Sequence, residues 1–315
     1  MGTEFAIIDI GSNSIRYAEE SKGALPDKSG IYTTRLGSGL NETGRLADDT
    51  MAASLEIIRE LGERARAGGF LPRAYATSAV RDAANGREFA ERIEAECGVP
   101  VEILTGEQEA AYAFAGSVGA GGRYGSMLDI GGASMQIVNS GFAKSWRAGC
   151  VRCRDIAAAA LAEAGTDIFA CAPPLYPCDI RPYEQRRAID AYMDEEVSLP
   201  EGLILILPVG VGGSITTLAA LKAGLTVFSR ETVEGVTLSP ADVEELIETL
   251  IAMGGARREH PLLKQRHDVI LYGAYVLAHA LRVMRAESIG VSCRDGMEGY
   301  LYELKNRAAA GVTEA

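Results

Sequence analysis

Two aspartates in this 315-residue chain each close an apolar run and open a glycine-rich turn. Phe5-Ala-Ile-Ile-Asp9-Ile10 leads into Gly11-Ser12-Asn13-Ser14, and Ser126-Met-Leu-Asp129-Ile130 leads into Gly131-Gly132-Ala133-Ser134. A third apolar run, 203–207, passes through Pro208-Val-Gly210-Val into Gly212-Gly213-Ser214. Turns of glycine and small residues let consecutive backbone N–H groups converge on one anion, and a backbone without Cβ atoms can approach it closely. Three such turns point to a phosphate chain or a nucleotide. Carboxylates beside phosphate repel it unless a cation intervenes, and acids facing phosphate oxygens are the usual setting for Mg²⁺. The residues therefore read as a site for a metal-bridged polyphosphate, with Asp9 and Asp129 on the ion, Mg²⁺ or Mn²⁺. One such turn alone would be no more than a tight hairpin; three in order, two of them preceded by Asp, are harder to explain that way.

The elements that must hold these turns follow from the apolar spacing. Residues 5–10 read as a strand and 15–18 as its return, a β-hairpin with an acid near its tip. Met51, Leu55, Ile58, Leu61 and Ala65 recur at helical spacing and end at Gly68-Gly69, a helix stop. A strand over 73–77, a helix over 86–96, a short strand over 101–104 and a helix opening near Gly106 come next, which predicts a mixed sheet covered by helices. The segment 126–138 repeats the opening pattern of strand, Asp, glycine-rich turn, Ser and strand, a diverged internal repeat. Paired glycines in Ala120-Gly-Gly-Arg-Tyr-Gly125 are the candidate hinge between the copies. The expected domains are 1–124 and 125–296, with a terminal helix over 297–309 packing back on the first. Helices over 215–221, 239–252 and 265–286 and a strand over 288–291 complete the second.

Five motifs, in order along nearly the whole chain, make the resemblance specific. They are Asp9-Ile-Gly-Ser-Asn-Ser14, Thr77-Ser-Ala-Val-Arg81-Asp-Ala-Ala-Asn85, Gly106-Glu-Gln-Glu109-Ala110, Asp129-Ile-Gly-Gly-Ala-Ser134 and Gly210-Val-Gly-Gly-Ser-Ile-Thr-Thr-Leu218. Together they resemble the exopolyphosphatase and guanosine pentaphosphatase (Ppx/GppA) family. The resemblance implies an α/β protein of the actin-like ATPase (ribonuclease H-like) fold, two similar domains with a cleft between them that holds phosphates. It also implies release of terminal phosphate from inorganic polyphosphate or guanosine pentaphosphate. On this pattern Glu109 is the catalytic residue, orienting and deprotonating a water for in-line attack. Arg81 and Ser78 belong to the substrate site with the three turns, and a planar guanidinium can hold two phosphate oxygens at once. Glu107, on the same helical turn as Glu109, needs no role beyond complementing the helix dipole.

Three positions depart from the family pattern. Ala133 replaces its third glycine, Gln136 its metal-site glutamate, and Met297 the arginine of its last motif, with Arg294 one turn earlier. Gln136 still offers a carbonyl oxygen to a metal, but one negative charge is gone. That loss motivates a second expectation, a catalytically weak sensor that binds polyphosphate or an alarmone. A kinase of the same superfamily ranks below both, because nothing resembles an acceptor pocket.

Composition narrows the classes further. A net charge of −12 argues against non-specific nucleic-acid binding, which needs a basic surface. No apolar run reaches the length of a membrane span, and the opening residues lack a secretory pattern, so a cytoplasmic protein is expected. The six cysteines are expected as free thiols: Cys150 and Cys153 pair poorly in spacing with Cys171 and Cys178 as a zinc site. His260, His267 and His279 stand apart from every phosphate motif, and Asp190, Asp194, Glu195 and Glu196 read as a solvated face. A homodimer is the assembly that the resemblance favours.

Overall fold

The computed structural model describes residues 4–25, 30–118, 124–165 and 179–310. The chain divides into two compact units, one of residues 1–120 with 294–315 and one of residues 121–293. The hinge expected at 120–125 lies, but for Tyr124 and Gly125, outside the described residues, as do Cys171 and Cys178.

The first unit opens with β1 (Phe5–Ile10), β2 (Ser14–Glu19) and β3 (Gly30–Thr33), an antiparallel meander. The short α1 (Leu40–Thr43) and long α2 (Asp48–Ala67) lead to β4 (Leu71–Ala76), which lies parallel to β1. Then come α3 (Ser78–Asp82), α4 (Gly86–Cys97), β5 (Val101–Ile103) and α5 (Gly106–Ser117). The sheet order is β3-β2-β1-β4-β5.

The second unit starts with the meander β6 (Ser126–Ile130), β7 (Met135–Asn139) and β8 (Phe142–Trp146), followed by α6 (Cys150–Glu163) and α7 (Pro182–Glu196). Next are β9 (Pro208–Val211), parallel to β6, then α8 (Gly213–Lys222), α9 (Arg230–Val233) and β10 (Thr237–Leu238). The helices α10 (Pro240–Met253) and α11 (Ile270–Met284) and the strand β11 (Ile289–Val291) finish it. Its sheet runs β10-β11-β9-β6-β7-β8. Apart from the edge strand β10, each sheet holds a three-strand meander whose first strand continues into two parallel strands. The internal repeat seen in the sequence is thus a repeated topology, the actin-like ATPase fold. The last helix, α12 (Gly296–Ala309), belongs to the first unit.

One expected strand is displaced. Residues 203–207 are not a ladder strand: Ile204 and Ile206 are exposed, and Leu207 takes a left-handed φ of 42° that turns the chain out of strand geometry before Pro208. The central strand is β9, whose Val209 and Val211 are fully buried.

Strand alternation decides which residues of the first unit meet. Ala6, Ile8 and Ile10 enter the core that includes Leu55, Ile58, Phe89 and Ile93 of α2 and α4, whereas Phe5 and Ile7 pack with Tyr300, Leu301 and Leu304 of α12. By the same two-residue period Asp9 falls on the α12 face, with Arg16 of β2 and Tyr75 of β4. That face is closed by α5 and α12 crossing with glycines in contact. A Cβ at Gly116 would overlap the Asp295 carbonyl, and one at Gly299 would overlap the Tyr112 carbonyl. Gly299→Ala is therefore expected to cost on the order of 3 kcal/mol of unfolding free energy by forcing the helices apart. Urea unfolding measures this, and a loss near zero would contradict the crossing.

Candidate active site

The first turn is closed by the Gly11 N–H donating to the Ser14 carbonyl at 3.2 Å. The Ser12 and Asn13 carbonyls accept from the Gly37 and Arg35 N–H groups at 2.8 and 3.0 Å, so a loop after β3 buttresses the turn. The Ser12 and Ser78 hydroxyls lie 3.3 Å apart, which joins the turn to the start of α3, and Asn13 Nδ2 donates to Ser14 Oγ at 3.2 Å. The expected residues Gly11, Ser12, Asn13, Ser14 and Ser78 thus form one connected group.

Beside that group, Asp9 takes part in a buried network that the sequence reading missed. Arg16, directly across the hairpin, donates through Nε to Asp9 Oδ2 at 2.7 Å and through Nη2 to the same oxygen, and its Nη1 bonds Asp295. Asp295 also caps α12, accepting from the Met297 N–H at 3.1 Å. Burial works against the Arg16 cation, but the Asp295 and Asp9 carboxylates outweigh it and hold the guanidinium well above its usual pKa. Burial, then the Asp9 charge, likewise raises the Tyr75 hydroxyl, which stays protonated and bonds Asp9. The place of Asp9 beside the turn is as expected, but its charge is already met by Arg16. The cross-strand position of Arg16 and its shared parity with Asp9 are the signals that could have revealed the pair.

Glu109 stands in the first turn of α5, which Thr105 and Gln108 start with a reciprocal capping box. Its Oε2 accepts from Arg81 Nη1 at 2.8 Å, and the same nitrogen donates to the Leu104 carbonyl at 2.9 Å. The two side chains are 13% and 23% exposed, half sheltered yet open to water. Two residues 28 positions apart, expected as base and phosphate ligand, are therefore in contact. Glu107 is exposed.

The second turn repeats the first, with the Gly131 N–H donating to the Ser134 carbonyl at 3.0 Å. Asp129 faces Gln136 across the hairpin, where the first copy has Asp9 facing Arg16. Gln136 is 1% exposed; its Nε2 donates to Ser134 Oγ at 2.9 Å and Ser145 Oγ at 3.3 Å, while its Oε1 is buried with no hydrogen-bond partner among the described residues. Gly212 follows β9 with φ 89°, and a side chain there would reach within 2.6 Å of Asp129 Oδ1. Only glycine lets this backbone lie against that carboxylate. The Arg266 guanidinium occupies the space where a Gly213 side chain would stand, another residue the sequence reading passed over. Ser214 is 2% exposed; it bonds the Cys150 thiol, and its hydroxyl packs where a Gly273 side chain would lie, so it also braces helices.

A metal is tested by the donors available. Among the described residues no three His, Cys, Asp or Glu side chains gather to hold an ion. An ion such as Mg²⁺ does not need such a cage, because it takes one or two carboxylates and fills its shell with phosphate oxygens and water. Asp129, cross-strand from the buried Gln136 oxygen, offers donors of that kind, and so does Asp9, which Arg16 also meets. The thiols do not compete: Cys97, Cys150, Cys153 and Cys293 are free and buried, and burial pushes the Cys150 and Cys153 thiols up, keeping them protonated. His279 is buried against Asp190, and Asp194 pairs with Arg282, so part of the acidic face of α7 bonds α11 and is not merely solvated.

Comparison with known proteins agrees with this geometry. The model of the Ppx/GppA phosphatase family matches residues 28–157. Exopolyphosphatase 2 of Mycobacterium tuberculosis is 28% identical, aligned over 96% of this chain and 98% of its own. An exopolyphosphatase-like protein of solved structure superposes with a TM-score of 0.81 at 26% identity, over 97% of this chain and 100% of that one. The Aquifex aeolicus Ppx/GppA phosphatase, in its type II variant, gives 0.67 at 25% identity over 96% and 99%. Over nearly its whole length the chain is similar to proteins of the Ppx/GppA phosphatase family.

Against the Ppx/GppA pattern, Met297 is fully buried in the core under α12, where it packs with Tyr300 and Leu304, and Arg294 is exposed. Met297 has thus exchanged a charged role for packing. The Asp9–Arg16–Asp295 set is buried enough that losing one carboxylate matters. Asp9→Asn is expected to lower unfolding free energy by about 3 kcal/mol. A loss under about 1 kcal/mol, the range of exposed pairs, would contradict the network.

Proposed function

We propose that this chain is a metal-dependent exopolyphosphatase that releases terminal orthophosphate from polyphosphate chains. The observation that carries the reading is the 2.8 Å contact between Arg81 and Glu109, a guanidinium suited to phosphate beside a carboxylate suited to water. A terminal phosphoryl group arriving at Arg81 competes with Glu109 for the guanidinium fork, which can bind two of its oxygens. The displaced carboxylate then orients a water, accepts its proton as the oxygen bonds to phosphorus, and leaves the shortened chain to depart with the electrons of the broken P–O bond. Turn amides in each unit, at Gly11 to Ser14 in the first and at Gly131 to Ser134 and Gly212-Gly213 in the second, are suited to anionic oxygens. Asp129 with the Gln136 oxygen would hold Mg²⁺ or Mn²⁺, with Asp9 the weaker candidate; such an ion acts as a Lewis acid on phosphate oxygens. Ala133 does not take a positive φ, so its backbone conformation does not require the third glycine of the pattern.

Inorganic polyphosphate and guanosine pentaphosphate present the same terminal group to this machinery, and release rates on the two, measured side by side, rank them. No described helix is long and apolar enough to cross a membrane; a cytoplasmic homodimer is the setting we propose.

Glu109→Gln is expected to lower phosphate release at least about 100-fold. The melting temperature should stay close to the parent value, because an ion pair this exposed contributes at most about 1 kcal/mol. Unchanged turnover in a folded variant would refute the assignment. Gln136→Glu adds a buried carboxylate opposite Asp129, so it is expected to melt lower than the parent without Mg²⁺ and to gain more than the parent when Mg²⁺ is added. Melting that ignores Mg²⁺ in both proteins would remove Gln136 from the metal site.

A further inference from the structure

The three peptide groups of the second turn share one feature. The Gly131 carbonyl accepts from the Cys150 N–H at 3.0 Å, and the Gly132 carbonyl accepts from the Val151 and Arg152 N–H groups at 2.7 and 3.2 Å. The Ala133 carbonyl accepts from Arg152 Nε at 3.0 Å. All four donors come from three residues in the first turn of α6. Gly149, just before it, lies so close to Gly132 that a Cβ would overlap the Gly132 carbonyl group. In a planar trans peptide the C=O and the following N–H point to opposite sides. Holding these carbonyls toward α6 therefore turns the N–H groups of Gly132, Ala133 and Ser134 away from it. Among the described residues those N–H groups meet no backbone acceptor.

Two of the carbonyls are held by backbone amides that any residue would supply. The third depends on a side chain, and that side chain is a cation only 5% exposed. A buried charge is costly unless hydrogen bonds and opposite charges meet it, and one of the hydrogen bonds that Arg152 makes goes to this turn. Packing alone would be served by an apolar residue, as it is at Val151 and Cys153 on either side, 2% and 0% exposed.

We propose that Arg152 is a positioning residue for phosphate binding: by holding the Ala133 carbonyl it fixes the Ser134 N–H toward the substrate. It touches no substrate atom. The inference deepens the exopolyphosphatase reading and rests on it for the identity of the anion, but its physical content is the orientation of one peptide group.

The test uses the full chain and inorganic polyphosphate. Arg152→Met keeps the apolar stem and removes both donor and charge; Arg152→Lys keeps the charge but not the planar fork. The account expects KM for polyphosphate to rise about tenfold in the Met variant and about threefold in the Lys variant, with kcat changed less than KM. Direct binding of polyphosphate to the protein by calorimetry should weaken by the same factors. A folded Met variant with a lower melting temperature but parent KM and parent affinity would mean a structural role only and overturn the proposal. If the Met variant does not fold, the Lys variant decides, and a parent KM there overturns it equally. Failure of the underlying reading looks different, since the parent protein would then release no phosphate from polyphosphate while calorimetry still reports whether Arg152 governs anion affinity.

Discussion

A peptide group cannot face its carbonyl inward without facing its N–H outward, and the second phosphate turn of this protein rests on that constraint. Its carbonyls are captured by the start of α6, and the amides on the far side are left directed at whatever lies beyond the turn. The first turn is buttressed in the same sense by the Gly37 and Arg35 amides. A site made this way needs no basic surface. That resolves the apparent conflict between a net charge of −12 and a polyanionic ligand, because oriented dipoles and a few sheltered arginines do the work that a lysine-rich face would do elsewhere.

The two copies of the hairpin share a backbone and differ in charge. Across from its aspartate the first copy carries Arg16 and the second carries Gln136. The first aspartate is thereby matched and tied through Asp295 to α12, the helix that also presses on α5 and so on the element that bears Glu109. The second keeps a neutral partner with an unpartnered oxygen. One duplicated scaffold thus carries an arginine across from its first aspartate and a glutamine across from its second.

Much of this was legible in the sequence, and for identifiable reasons. Residues whose roles depend on local backbone, such as Gly11, Gly131 and Gly212, announce themselves by type and spacing. The helix starts at Gly106 and near Ser239 are written in capping residues. What stayed hidden depends on contacts distant in sequence. Arg16 with Asp295 is separated by 279 residues, and Arg152 with Ala133 joins a helix to a turn that precedes it by a strand pair. The bond from Ser214 to the Cys150 thiol and its fit into the gap left by Gly273 were hidden for the same reason. The 203–207 run misled because a continuous apolar run predicts a buried strand, but among the described residues no strand pairs with it and Leu207 bends it away.

The central claim is that outward-facing backbone amides of the second turn bind the anion. Amide-resolved nuclear magnetic resonance of the ¹⁵N-labelled protein, titrated with tripolyphosphate in the presence of Mg²⁺, tests it most directly. The account predicts large, saturable shifts at the Gly132, Ala133 and Ser134 amides. Saturable binding that leaves those three amides unmoved while shifting others would contradict it.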